Sequence, residues 1–177
     1  MAGYIALLRG VNVGGNMLRM ERLRAMCAEA GMKNARTYVQ SGNVAFEGSG
    51  AAERWARTLE KKLEGETRLA VTVIVRTDAE MAEIVERNPF LREKTIDLGK
   101  LYVTFLEERP AKAGVERLGS LAAGADRFAL VGSEIYLHCA NGYGESKITN
   151  NVFEKALGVR ATTRTWNTVL KLREMAP

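Results

Sequence analysis

Cysteine and histidine are scarce in this sequence of 177 residues. Cys27 and Cys139 are the only cysteines, no CxxC pair occurs, and His138 is the single histidine. This composition argues against a disulfide framework and against a Cys/His zinc site, so we expect neither a metal nor a cofactor. Cys27 falls at a core position of a predicted helix, where we interpret it as a buried apolar residue.

Long hydrophobic runs are also missing. No apolar segment approaches the roughly 20 residues that cross a bilayer. The first residues, Met1 to Ile5, lead into a strand-like segment without the basic region of a signal peptide. We therefore expect a cytoplasmic protein that does not interact with membranes.

Positive charge is concentrated in the first part of the chain. Residues 1–76 carry 12 Lys and Arg against 7 Asp and Glu, whereas residues 77–177 carry 14 of each. An anionic partner, either a small ligand or a nucleic acid, is therefore expected on the first part if one exists. The alternative is that the charge only keeps helix surfaces solvated.

The pattern of apolar residues and turns predicts the same order of elements twice. The first series comprises strand 4–8, helix 20–30, strands 36–40 and 43–47 around a tight Ser41-Gly42 turn, helix 52–63 and strand 70–75. The second comprises strand 101–106, helix 113–121, strands 127–131 and 134–138, helix 150–157, strand 162–166 and closing helix 167–174. Each βαββαβ series is typical of a ferredoxin-like unit, an antiparallel sheet with two helices on one face.

The predicted fold class is therefore α+β, with two tandem ferredoxin-like units and a C-terminal helix. We divide the chain into a basic first lobe (1–76), an acidic helical linker (77–99) and a second lobe with the closing helix (100–177). Thr77 resembles the N-cap of the linker helix, and Asn88-Pro89 ends that helix because the residue before proline avoids helical geometry.

The most unusual segment is the glycine loop, residues 9–16, which lies between a predicted buried strand and a helix. Glycine allows positive φ and close backbone approach, and backbone N–H groups before a helix can bind an anion. The loop matches neither a Walker A motif nor a GxGxxG motif. It is either a ligand-binding loop or a turn whose polar groups are satisfied internally. Its candidate ligand-binding residues are Arg9, Gly10, Asn12, Gly14 and Gly15.

The predicted topology brings a second polar segment next to this loop. In a ferredoxin-like sheet the first strand runs antiparallel to the third, so the end of the first strand lies beside the start of the third. The hairpin residues 40–43 should therefore meet the glycine loop at one edge of the sheet. They add four candidate ligand-binding residues, which are Gln40, Ser41, Gly42 and Asn43.

Two further polar clusters lie in the second half of the chain. Gly142 to Lys147 places a tyrosine between glycines ahead of a helix, and Trp166 lies between Arg and Asn at a strand-to-helix junction. A tryptophan in that position could stack on a ligand base, or it could fill the joint between the lobes. The candidate residues of this second cluster are Tyr143, Gly144, Lys147, Trp166, Asn167 and Lys171.

Several of these segments together resemble a known family. YIALLRGVNVGGN, MERLRAM and RTYVQSGNVAF are similar to the amino-terminal signature of the domain of unknown function 1697 family, and YGESK, FEKALG and TTRTWNTVLKL to its carboxy-terminal half. The resemblance implies a duplicated ferredoxin-like α+β fold, and it implies no particular activity, substrate or cofactor. Thr165 stands where the family pattern has an asparagine.

Three functions are compatible with these observations. The preferred one is a binding module for a phosphate-bearing ligand, either a nucleotide or a nucleic acid, at the glycine loop and residues 40–43. A nucleic acid would need aromatic platforms on the open sheet face, for which Tyr38 and Phe46 are the candidates. The alternatives are an enzyme of unknown reaction with a site between the lobes, using Glu145 or His138, and a purely structural two-lobed protein. The sequence assigns no catalytic residue and no oligomeric state.

Overall fold

The computed structural model describes all 177 residues, which form two compact units. The first unit comprises Met1–Glu83 with Lys171–Pro177, and the second comprises Ile84–Leu170. The end of the chain therefore belongs to the first unit, whereas the sequence places it in the second lobe, and the predicted linker 77–99 is divided between the units. Within the first unit, the Arg36 guanidinium donates to the carbonyl of Met175 (2.5 Å).

The first unit contains one four-stranded antiparallel sheet in the order β2-β3-β1-β4. Its elements are β1 (Ala2–Leu8), α1 (Met20–Glu29), β2 (Lys33–Tyr38), β3 (Asn43–Gly48), α2 (Ala52–Thr67) and β4 (Val73–Thr77). The second unit repeats this arrangement in the order β6-β7-β5-β8. The chain reaches it through α3 (Asp78–Glu86), and the elements that follow are β5 (Leu101–Leu106), α4 (Lys112–Gly119), β6 (Arg127–Val131), β7 (Glu134–His138), α5 (Asn150–Leu157), β8 (Ala161–Thr165) and α6 (Trp166–Met175). The predicted fold class, two tandem ferredoxin-like βαββαβ units, is confirmed.

Local signals explain several of the helix boundaries. Thr77 and Glu80 form a reciprocal capping box at the start of α3, because Glu80 N donates to Thr77 Oγ1 (3.1 Å) and Thr77 N donates to Glu80 Oε2 (2.8 Å). Helix α5 ends at Gly158, which adopts the left-handed conformation (φ 68°) that glycine tolerates. At α6, the Thr165 hydroxyl accepts from Thr168 N (3.2 Å), so this threonine performs the capping role that asparagine also fills well.

Several predicted boundaries differ from the structure, and the largest differences are at the end of α2 and in β2. Helix α2 continues one turn past Leu63 to Thr67, and its C-cap residue Arg68 is left-handed (φ 59°). β4 therefore begins at Val73 rather than at residue 70. Strand β2 ends at Tyr38, which pairs with Asn43, so the predicted two-residue Ser41-Gly42 turn is in fact a four-residue turn over 39–42. Gln40 therefore lies in the turn rather than in a strand.

Each unit has its own hydrophobic core between one sheet face and its helices. In the first unit, Tyr4, Ala6 and Leu8 alternate along β1 toward a core that includes Leu23 of α1 and Leu59 of α2. In the second unit, the buried core members are Leu106, Leu118, Ile135, Leu137, Cys139, Ile148, Phe153, Leu157, Val159 and Ala161. Burial of these side chains contributes about 1.5–3 kcal/mol for each large aliphatic or aromatic group.

Candidate functional site

The glycine loop and the Val39–Gly42 turn meet at the ends of the two central strands of the first sheet. Leu7 of β1 pairs with Asn43 of β3, and the next residue, Leu8, donates its N–H to the carbonyl of Gly42 (2.8 Å). The two segments are therefore joined through the ladder itself. This confirms the predicted juxtaposition, except that it lies at the end of the central strands rather than at a lateral edge of the sheet.

Asn12 fixes the path of the glycine loop. Its Nδ2 donates to the carbonyl of Gln40 (2.5 Å) and to that of Leu18 (3.0 Å), and its Oδ1 accepts from Leu18 N (2.7 Å). Its backbone is left-handed (φ 57°), a conformation that asparagine tolerates better than most residues. Because both ends of the amide are engaged within the protein, Asn12 braces the loop against the turn rather than offering its side chain to a ligand.

Asn43 and Gly42 maintain the turn 39–42 on which the glycine loop packs. The Asn43 side chain is fully buried, and its Nδ2 donates to the carbonyl of Tyr38 and to Ser41 Oγ (both 2.9 Å). A Cβ on Gly42 would lie 2.5 Å from Val11 Cγ2 and 2.9 Å from the Cβ of Leu8. Glycine is required here because the glycine loop packs directly on the turn, and φ at Gly42 is also positive (80°).

Unlike the base of the glycine loop, its tip, residues 13–15, is exposed to solvent. Val13, Gly14 and Gly15 are exposed, and the two glycines have φ values of 57° and 90°, with nothing within 4 Å of the place that a Cβ would occupy. The backbone N–H groups of Gly14 and Gly15 form no hydrogen bond within the protein, whereas the carbonyls of Val13 and Gly15 accept from Asn16 N and Met17 N. Exposed amide donors are therefore available at the tip of a braced loop.

A strained residue lies in the adjoining turn. Val39 has φ 50° and its side chain is 49% exposed. A β-branched residue in left-handed geometry is a genuine outlier, and such strain costs of order 1–3 kcal/mol and concentrates at functional sites. No sequence signal marks this position, because valine is the residue type that turn rules least expect there.

Arg9 and Arg19 supply positive charge near the loop. Arg9 is half-buried and interacts within the protein, and its N–H donates to the carbonyl of Thr72 (2.9 Å), which carries the sheet one residue beyond β1. Arg19 is exposed at the residue immediately before α1. Gly10 follows Arg9 in left-handed geometry (φ 72°) and turns the chain out of the sheet.

Of the two aromatic platforms expected for a nucleic acid, Phe46 is not on an accessible face. Phe46 is fully buried in the first core, stacked on Tyr4 at 5.3 Å between ring centroids and edge-to-face with Trp55 at 5.5 Å. The prediction that Phe46 offers a stacking surface is wrong, because its alternation along β3 turns it toward the helices. Tyr38 is half-buried.

The second cluster divides into residues with structural contacts and residues that are only exposed. Tyr143 Oη accepts from Asn150 N (2.7 Å) at the start of α5, and its ring packs on Tyr102 at 5.2 Å. Trp166 is 1% exposed, which argues against the alternative in which it stacks on a ligand base. Lys171 forms an ion pair with Glu174 (3.0 Å). The remaining members, which are exposed, are Gly144, Lys147 and Asn167.

The side chains that could serve an enzyme, Glu145, His138 and the two cysteines, are not arranged in a way that indicates a reaction. Glu145 is exposed, and His138 packs its ring against Phe90 at 6.1 Å between centroids. Burial raises the pKa of the Cys27 thiol to about 12 and also raises that of Cys139, so neither cysteine is a ready nucleophile. The interpretation of Cys27 as a buried apolar residue is confirmed. No three His, Cys, Asp or Glu side chains are grouped so that they could hold a metal ion.

None of the helices combines the length and the apolar character that a membrane span requires.

A family model described as protein of unknown function, DUF1697, matches residues 1–136. The conserved bacterial protein SP0830 from Streptococcus pneumoniae has a similar solved structure, with 19% sequence identity, a TM-score of 0.79 and coverage of 98% of both chains. At that identity the similarity establishes the fold alone. No curated protein matches the sequence significantly.

Proposed function

We propose that the protein, which belongs to the DUF1697 family of proteins of unknown function, binds a small phosphate-bearing ligand such as a nucleotide at the tip of its glycine loop. The observation that carries this proposal is the pair of exposed N–H groups of Gly14 and Gly15, which have no acceptor in the protein. Successive backbone amides in a loop with positive φ are a recurrent means of binding phosphate oxygens.

The bracing of the loop supports this proposal. Asn12 ties the loop to Gln40, and the contact of Gly42 with Val11 holds the two segments together. A loop whose base is fixed loses less conformational freedom on binding than a flexible one, so its amides bind an anion more tightly. The candidate residues therefore have different roles: Gly14 and Gly15 bind, whereas Asn12, Gly42 and Asn43 maintain the geometry.

The charge distribution is consistent with an anionic ligand. Residues 1–76 carry an excess of five positive charges, and Arg19 is exposed four residues beyond Gly15. Charge of this kind raises the local concentration of an anion and increases its association rate. Positive charge adds little specificity, so we expect the site to recognise the phosphate group rather than a particular nucleotide base.

A small ligand fits the observations better than a nucleic acid strand. Sheet proteins that bind single strands stack bases on exposed aromatic rings, whereas Phe46 and Trp166 are buried. An enzyme remains the alternative, but the glycine loop and residues 40–43 contain no carboxylate, imidazole or thiol that could act as a general acid or base.

Calorimetric titration with ADP and with inorganic pyrophosphate tests the proposal, using Gly14→Asp and Gly14→Asn as a matched pair. Both substitutions place a side chain that tolerates left-handed geometry into open space, and only one adds a negative charge. We expect wild type and Gly14→Asn to bind, and Gly14→Asp to bind at least about tenfold more weakly, which corresponds to about 1.4 kcal/mol.

Repeating the titration at higher salt, and with a short single-stranded oligonucleotide, distinguishes the ligand classes. Affinity for a nucleic acid falls steeply with salt because many counterions are released, whereas a ligand with only two phosphate groups gives a shallower dependence. The absence of binding of any of these probes by wild type at low salt would overturn the proposal. Equal binding by both Gly14 variants would place the site elsewhere.

A further inference from the structure

The outer strands β2 and β6, which occupy equivalent positions in the two sheets, differ in how well they are protected against pairing with another chain. β2 carries the exposed charges Lys33 and Arg36, and its pairing with β3 shifts register at the left-handed residue Asn34 (φ 52°). Charges and bulges of this kind are the usual protection of a sheet edge. β6 has one charge, at Arg127, followed by four uncharged residues, 128–131, that are all half-buried, and its pairing with β7 runs without a register shift.

The backbone of β6 directs hydrogen-bonding groups away from the sheet. β6 and β7 are joined by the two-residue turn Gly132-Ser133, so Val131 and Glu134, which close the turn, form a hydrogen-bonded pair. Hydrogen-bonded and non-hydrogen-bonded pairs alternate along an antiparallel ladder. Phe128 and Leu130 therefore turn their N–H and C=O groups outward, where no other backbone group meets them.

A cleft of about 440 Å³ runs beside this edge. Its walls come from β6 with the residues before it and from the 3₁₀ turn Pro89–Arg92. Arg127 connects the two walls, because it forms two hydrogen bonds to the Glu93 carboxylate (2.6 and 3.0 Å) and lies over the Phe90 ring (5.1 Å to its centroid). Leu91 of the same turn is 41% exposed, which adds apolar surface beside the cleft.

We propose that β6 pairs with β6 of a second copy of this chain, antiparallel across a two-fold axis at Ala129. In that register Phe128 lies opposite Leu130 of the copy, and their outward backbone groups exchange hydrogen bonds. The two second-unit sheets then become one continuous sheet of eight strands. This inference is independent of the ligand proposed for the glycine loop.

The sequence of β6 is self-complementary in this register. Arg127, the only charged residue of the strand, lies opposite Val131 of the copy, so no like charges face each other. The small Ala129 side chains meet at the axis, where a non-hydrogen-bonded pair brings the two Cα atoms to about 4.5 Å. The cleft beside β6 leaves space for side chains of the second copy. These features identify a second copy as the partner that fits, since a closed two-fold dimer is the commonest assembly of identical chains.

Sedimentation equilibrium over a range of concentrations tests this proposal on the full chain. We expect wild type to approach twice its monomer mass of 19.5 kDa as concentration rises. Ala129→Lys should sediment as a monomer, because it places two ammonium groups opposite each other at the axis, whereas Ala129→Ser should dimerise as wild type does. Mixing Ala129→Lys with Ala129→Glu should restore the dimer mass, because the pair then carries opposite charges.

A cysteine variant tests the register without depending on the charge variants. Ala129→Cys should form an intermolecular disulfide on mild oxidation, and Val131→Cys should not, because the native Cys27 and Cys139 are buried and only the axis position meets its own copy. A wild-type protein that stays monomeric at every concentration would overturn the proposal. So would a dimer that survives Ala129→Lys, or one that cross-links at residue 131 rather than at residue 129.

Discussion

The Asn12 side chain donates from Nδ2 to the main-chain carbonyl of Gln40 at 2.5 Å, linking two segments that are 28 residues apart in the chain. The same amide accepts from Leu18 N and donates to Leu18 O, so one side chain holds the base of the glycine loop on both sides. The proposed phosphate site depends on this relationship, because the tip can present its amides in one place only if the base does not move.

Asn12→Asp should loosen the glycine loop. A carboxylate still accepts from Leu18 N, but it cannot donate to the carbonyls of Gln40 and Leu18, and it places negative charge against both of them. We expect a loss of about 1–3 kcal/mol in the free energy of unfolding, measured by urea denaturation. Asn16→Asp is the matched control, since Asn16 is exposed and its side-chain contact to Gly10 O is 3.4 Å long; it should change stability by less than about 0.5 kcal/mol. Equal effects of the two substitutions would contradict the bracing role of Asn12.

Replacement by alanine should affect stability differently at the glycine in the turn, Gly42, and at the glycine in the loop tip, Gly14. Gly42→Ala forces a methyl group to within 2.5 Å of Val11 Cγ2 and also strains a left-handed backbone, so it should cost about 2–4 kcal/mol. Gly14→Ala meets open space and suffers only the backbone cost of about 1 kcal/mol. Thermal or urea unfolding of both variants measures the difference. If Gly42→Ala proved as mild as Gly14→Ala, the packing of the loop on the turn would be weaker than its geometry indicates.

Relief of the strain at Val39 should stabilise the protein. Val39→Asn keeps a side chain of similar size at an exposed position and replaces a β-branched residue by one that tolerates φ 50°. We expect the free energy of unfolding to rise by about 1 kcal/mol. Val13→Asn, at another exposed valine without positive φ, should leave stability unchanged. If the strain also shapes the ligand site, Val39→Asn will lower pyrophosphate affinity while raising stability.

The free energy of unfolding should decrease at alkaline pH because the buried thiol of Cys27 resists ionisation in the folded protein. Burial raises the pKa of Cys27 from 9.0 to about 12, so the folded protein holds its proton where the unfolded chain releases it. The stabilisation is complete below pH 9 and is lost as pH rises from 9 toward 12. Cys27→Ala should flatten this part of the curve of unfolding free energy against pH, although it lowers stability at neutral pH by removing buried volume. A slope unchanged by the substitution would show that Cys27 does not titrate in this range.

The elements whose bounds are predicted most accurately are those whose ends carry local sequence signals. The predicted bounds of helix α5, 150–157, match the observed ones because Gly158 is a strong C-terminal signal, and the capping role of Thr77 at α3 is likewise evident from the sequence. The face of β3 is not predictable, since Val44, Ala45 and Phe46 are all apolar and alternation alone does not say which side the helices cover. The assignment of Phe46 to the open face fails for this reason.

Topology is enough to locate the candidate site, but the roles of its residues depend on the folded structure. The antiparallel order of a ferredoxin-like sheet brings the glycine loop beside Asn43. The requirement for glycine at position 42 depends on Val11 and Leu8, which only the folded chain brings near it. Likewise, no property of Asn12 in the sequence shows that its amide is already fully engaged. The strain at Val39 has no sequence signal of any kind.

The most direct test of the phosphate site is a two-dimensional ¹H–¹⁵N correlation experiment on the full chain, titrated with inorganic pyrophosphate at low salt. Binding at the loop tip should shift the amide resonances of Gly14 and Gly15 saturably and more than any others, since their N–H groups would gain an acceptor. The amide of Leu18, which already donates to Asn12 Oδ1, should move little. The absence of any shift at Gly14 and Gly15, or saturable shifts confined to other residues, would contradict the proposal.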